Sequence, residues 1–247
     1  MSHTAVAEVN LSRPEALQIG KKIWQNECAG TVAGLTSWNT GENFASLGIG
    51  HFIWYPKGMR GPFEESFPAF ISFTESRSVN IPAVARENRS TGCPWNSRAE
   101  FLAAGNTPPM KELRQFLADT VALQADFLVQ RLQQALPKML AAVPANDRAN
   151  VQRQFDRVAA SAQGCYALVD YVNFKGEGVL ETERYHGRGW GLLQVLRGMS
   201  GSGNAAGEFA QSARQVLTER VKNAPPERGE SRWLAGWLSR VNSYNHG

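Results

Sequence analysis

The sequence predicts a mainly α fold with one small β element near its N-terminus. From residue 108 onward, apolar residues recur at spacings of three and four. They mark helices at about 108–136, 146–162, 165–173, 190–199, 205–223 and 230–243. The one period-2 run of comparable length is Phe44–Tyr55, which predicts a strand or hairpin. The chain has 247 residues, 43% of them hydrophobic, enough for a single helical domain over 1–247 with a substantial core.

At the N-terminal side, Ser12 reads as a helix cap, Pro14 suits the first turn, and helical spacing runs to about Cys28. Leu17, Gly20, Trp24 and Glu27 are spaced by 3, 4 and 3, which predicts one shared face with a carboxylate at its end. A Gly/Thr/Asn-rich loop, Gly34–Asn43, leads into the 44–55 run. Strict alternation there puts Ala45, Leu47, Ile49, His51 and Ile53 on one face. Phe44, Ser46, Gly48, Gly50 and Phe52 fall on the other, and its bare middle suggests close approach of a ligand or another backbone.

Residues 56–109 mix prolines with Phe63, Phe67, Phe70, Phe73, Trp95 and Phe101. This predicts an ordered, irregular insertion with one short helix starting at the Ser97 cap. Its start beside the hairpin favours a cleft wall over a core brace.

Composition excludes several classes. Charged residues make up 19% and the net charge is +4, so disorder is not expected and a nucleic-acid role rests on weak basicity alone. Cys28, Cys93 and Cys165 form no metal-binding motif, and no metal or cofactor is implied; one pair could be bridged in an exported protein. No apolar run approaches the roughly 20 residues of a membrane span, so no integral membrane association is expected. Met1–Glu8 lacks a signal-peptide pattern. That leaves two readings, a cytosolic protein or an exported one whose leader was replaced by a new start methionine.

Glycoside hydrolysis needs an acid for the leaving oxygen, and a carboxylate or positioned water across the sugar. A semi-buried apolar setting favours the protonated form of such an acid. Glu27, at the end of an apolar face beside Trp24, is the candidate. The segment from Glu27 through Ser46-Leu-Gly-Ile-Gly-His51 resembles phage-type lysozymes of glycoside hydrolase family 24. In that family a catalytic Glu ends the first long helix, an Asp follows in the loop, and a Thr precedes a Gly-Ile-Gly-His strand. The resemblance assigns Glu27 as general acid and places Ser46, which keeps the hydroxyl, at the Thr that holds the attacking water. No Asp occurs between Glu27 and Ser46, and the interval is longer than in the family. Glu42, or alternatively Asn39, falls in the corresponding loop.

More faintly, Leu168–Gly178 is similar to the helix-then-loop carrying an aromatic-Asn-x-Gly pattern in these lysozymes. Gly189–Leu196 resembles a Gly-Leu-Met-Gln segment of lytic transglycosylases. The resemblance therefore implies a monomeric, periplasmic or secreted muramidase acting on peptidoglycan glycan strands. Glu27, Glu42 and Ser46 would be catalytic, and Asn39, Gly48, Gly50, His51, Trp54 and Gln194 would contact substrate. Lytic transglycosylation at the same bond and a non-catalytic wall-binding role are the alternatives. Most tryptophans are core residues, and His51 suits a hydrogen-bonded supporting role better than that of a base.

Overall fold

The computed structural model describes residues 12–61 and 63–245; the Met1–Glu8 segment lies outside them. Helix accounts for 65% and strand for 6%, with a small antiparallel sheet near the N-terminus, so the chain is mainly α. The chain divides into two compact units, Ser12–Phe127 and Leu128–Gly247, and the division falls within one helix.

In the N-terminal unit, α1 (Arg13–Cys28) begins with a reciprocal capping box between Ser12 and Glu15. It ends at Ala29, which takes a left-handed conformation at φ 52°, while the Gly30 amide donates to Trp24 O. Its buried residues are Ala16, Ile19, Gly20, Ile23 and Cys28. Leu17 is exposed, so the expected 17/20/24/27 face is rotated by about one residue. The buried stripe runs 16/19/20/23, and Glu27, next on that stripe at 23 + 4, is only partly covered.

Strands β1 (Thr36–Ser37), β2 (Ala45–Leu47) and β3 (Phe52–Trp54) form a sheet in chain order, with Ser37 opposite Ser46 and Ser46 opposite Ile53. The expected continuous alternation across 44–55 is broken. Gly48-Ile-Gly-His51 is the turn between β2 and β3, closed by the His51 amide donating to Gly48 O at 3.3 Å. Gly48 and His51 both have positive φ, 69° and 47°. A Cβ at Gly48 would collide with Gln124 Oε1, so glycine is required there by a neighbouring side chain of the protein.

The insertion carries three short helices, α2 (Phe67–Glu75), α3 (Ala83–Asn88) and α4 (Arg98–Ala103), rather than one. Ser97 caps α4 as expected, accepting from the Glu100 amide. Phe67, Phe70, Phe73 and Phe101 are buried, while Phe63 is exposed. Phe70 stacks on Phe52 at 5.0 Å and meets Phe127 at 5.6 Å. These rings extend the core of the N-terminal unit.

The predicted 108–136 helix is two helices, α5 (Pro108–Asp119) and α6 (Val121–Ala141). Side chains make the break: Gln124 Nε2 donates to Leu117 O at 2.6 Å, and Thr120 Oγ1 to Phe116 O at 2.7 Å. They take up carbonyls near the end of α5.

In the C-terminal unit, α7 (Ala145–Ala159), α8 (Ala162–Lys175), α9 (Leu192–Arg197), α10 (Ala205–Asn223) and α11 (Ser231–Asn242) pack together. A two-stranded hairpin, β4 (Arg184–Tyr185) and β5 (Arg188–Gly189), turns through His186 and Gly187, both left-handed. Asp170, fully buried on α8, accepts both Nε and Nη2 of Arg240 at 2.8 Å and the Tyr244 hydroxyl at 2.5 Å. All three cysteines are free thiols.

Candidate functional site

The end of α1 and the Gly48–His51 turn meet in the N-terminal unit. His51 Nδ1 lies 3.5 Å from Glu27 Oε2, and His51 Nε2 lies 3.9 Å from Cys28 Sγ. The Glu27 side chain is 13% exposed and that of His51 30%, so the pair is semi-buried yet reachable. The conformation of His51 follows from the turn: its left-handed backbone brings the imidazole back over the helix end.

A thiol, an imidazole and a carboxylate in this order resemble the nucleophile, base and orienting acid of a cysteine hydrolase. The surroundings oppose that use. Cys28 occupies the C-terminal end of α1, where the helix dipole disfavours a thiolate. Cys28 is buried, and its thiol points to Gly48 O at 3.7 Å. Burial, with the Glu27 charge beside it, pushes the thiol up to about 12, so it is a thiol at neutral pH. What the arrangement offers is a semi-buried carboxyl with one oxygen, Oε2, beside an imidazole.

The remaining expected site residues fall differently. Glu42 sits in the β1–β2 loop, where its carboxylate accepts from Asn39 Nδ2 at 3.0 Å and its amide donates to Asn39 O at 3.2 Å. Its carbonyl takes the Trp38 indole N–H at 2.8 Å. Asn39 and Glu42, expected as alternative partners of Glu27, therefore pair with each other within their own loop. Ser46, expected to hold the attacking water, is central in β2 and 3% exposed. Trp54 is fully buried against Phe67 at 4.8 Å, which removes it as a sugar-stacking surface. Its indole Nε1 is buried without a hydrogen-bond partner. Gly48 and Gly50 are likewise buried, their role being the turn.

Gln194 belongs to the C-terminal unit. Its Oε1 accepts from the Gly191 amide at 2.9 Å and its Nε2 donates to Gly178 O at 3.0 Å, which ties the loop after α8 to the start of α9. The nearby acids are also engaged: Glu183 accepts from the Gly178 and Leu180 amides, and Glu177 pairs with Lys138.

Sequence reasoning missed the Cys28–His51–Glu27 chain of neighbours. Its signal was present in the adjacency of Glu27 and Cys28 at a helix end and in a histidine closing a Gly-x-Gly turn. Among the described residues, no group of three His, Cys, Asp or Glu could hold a metal ion, and no helix is long and apolar enough to cross a membrane. Compared with protein-family models, curated proteins and solved structures, the chain matches none.

Proposed function

We propose that this protein is a peptidoglycan-cleaving glycosidase that breaks the β-1,4 bond after N-acetylmuramic acid, with Glu27 as the proton donor. The observation that carries the reading is the semi-buried Glu27 carboxyl at the end of α1, 3.5 Å from the imidazole of a Gly-Ile-Gly-His turn. Glu27 protonates the leaving O4 as the bond to C1 breaks. His51 positions the carboxyl by donating Nδ1–H to Oε2, which leaves the other carboxyl oxygen to carry the proton for O4.

The engagement of Glu42 by Asn39 favours one route after bond breakage. Two-carboxylate hydrolases keep their acids roughly 5–5.5 Å or 6.5–9.5 Å apart across the sugar. A single carboxyl suits lytic transglycosylation, in which the muramyl C6 hydroxyl attacks C1 and returns its proton to Glu27. End-group analysis of products from purified sacculi tests both levels. Reducing ends identify a hydrolase, 1,6-anhydro ends identify a transglycosylase, and the absence of soluble products removes the glycosidase reading and leaves wall binding without turnover.

A further inference from the structure

The C-terminal unit carries a second candidate site in an open depression of about 410 Å³. Three arginines line it, Arg184 on β4, Arg188 on β5 and Arg197 at the end of α9, and among the described residues no acidic side chain does. Its remaining side chains include Ala142, Val143 and Leu193, which give an apolar floor. Each guanidinium has a carboxylate contact outside the lining: Arg184 to Glu181 at 3.3 Å, Arg188 to Glu219 at 3.0 Å, and Arg197 to Asp147 at 2.8 Å. Glu181 is 88% exposed, and solvent-exposed pairs of this kind are weak. A guanidinium has five N–H donors in a fixed fork, so each arginine keeps donors for an incoming anion. Arg184 Nε is buried with no hydrogen-bond partner, so the donors this arginine can offer an anion are those of its terminal nitrogens.

We infer that this pocket binds the terminal carboxylate of a short peptide ending in a small apolar residue. The forked donors suit a carboxylate, and the Ala142, Val143 and Leu193 surface suits a methyl group beside it. The left-handed His186–Gly187 turn joins the two strands, with Arg184 opposite Gly189 and Arg188 opposite Tyr185, so the two arginines reach the depression from different strands and faces of the hairpin. Gly189 lets Gln194 pack close beneath, because a Cβ there would come within 2.7 Å of the Gln194 amide. The choice of peptide rests on the proposed function, since the stems of peptidoglycan end in alanine carboxylates.

Isothermal titration of the full chain with Nα,Nε-diacetyl-Lys-D-Ala-D-Ala, with its C-terminal amide, and with inorganic phosphate tests the inference. The acid is expected to bind at least about tenfold more tightly than the amide, since charge-assisted pairs with arginine are lost in the amide. The combined Arg188→Ala and Arg197→Ala variant is expected to lose that preference, and both side chains are exposed enough to be removed without opening the core. Equal binding of acid and amide, no binding of either, tighter binding of phosphate than of peptide, or an unchanged preference in the double variant would overturn it. Glycan cleavage is read separately. Peptide binding without cleavage would defeat the glycosidase reading alone, and cleavage without peptide binding would defeat this inference alone.

Discussion

Gln124, fully buried at the start of α6, accepts the Ile49 amide on Oε1 at 2.8 Å and so fastens the Gly48–His51 turn to the break between two helices. The same amide group donates to Leu117 O and to Thr120 Oγ1 at 3.2 Å. One side chain thus sets both the helix break and the position of the turn that presents His51 to Glu27.

Gln124→Leu keeps the volume but leaves the buried Ile49 N–H unpaired. It is expected to destabilise the protein by about 1–3 kcal/mol. Urea unfolding monitored by tryptophan fluorescence measures it; a change under a few tenths of a kcal/mol would mean that water replaces the amide without penalty.

His51→Ala is expected to lower turnover by about 10–10²-fold while leaving wall binding unchanged, because a misplaced carboxyl loses near-attack geometry. Parallel measurement of sacculus binding and muropeptide release checks this. Equal losses in both would make His51 a binding or folding residue.

Cys28→Ser is expected to retain activity, since the thiol is held up to about 12 and takes no part as a nucleophile. In the folded protein Cys28 and Cys93 should resist a thiol reagent at pH 8, and both should react once denaturant is added, because Cys93 is also pushed up to about 12, mainly by burial. Rapid labelling of Cys28 in the native state, or an inactive Cys28→Ser protein that remains folded, would revive the cysteine-hydrolase reading.

These relationships mark where the sequence was legible. The capping box of α1 is written in Ser12 and Glu15, and the helical spacing after residue 108 is written in the apolar residues, so both were readable locally. The Gly48–His51 turn was not, because period 2 continues through it on paper and only the contact with Gln124, 75 residues away, shows why the chain reverses there. Glu27 was readable as an odd carboxylate at the end of an apolar stripe. Its pairing with His51 needed the turn, and the closure of Trp54 needed the packing of α2 against β3. The engagement of Glu42 by Asn39 is a local contact that residue types alone left undecided.

In the C-terminal unit, the Glu230 side chain is fully buried. Burial acts to raise its carboxyl, but hydrogen bonds from Arg220 and Tyr185 and the charges of Arg220 and Arg228 outweigh it, holding the group at about 2 against an ordinary 4.5. A carboxyl lowered on folding contributes stability above pH 4.5, and that contribution drains as pH falls toward 2. The difference corresponds to about 3 kcal/mol. Denaturation between pH 6 and pH 2 should therefore show wild type losing stability over this window and Glu230→Gln losing much less. Parallel curves for the two proteins would remove Glu230 from the acid response.

Breaking the buried Asp170–Arg240 pair by Asp170→Ala leaves a guanidinium uncompensated beside the Tyr244 hydroxyl. A loss of about 3–5 kcal/mol is expected by chemical denaturation. A loss below about 1 kcal/mol would mean that Arg240 moves out to solvent and that the pair contributes specificity of packing alone.

The most direct test is to incubate wild type and Glu27→Gln with purified sacculi and quantify soluble muropeptides by liquid chromatography and mass spectrometry. The account predicts release by wild type. It also predicts a folded Glu27→Gln protein that still binds the wall and releases about 10²–10⁴-fold less. Release by Glu27→Gln within a few-fold of wild type, or none by wild type, would contradict it.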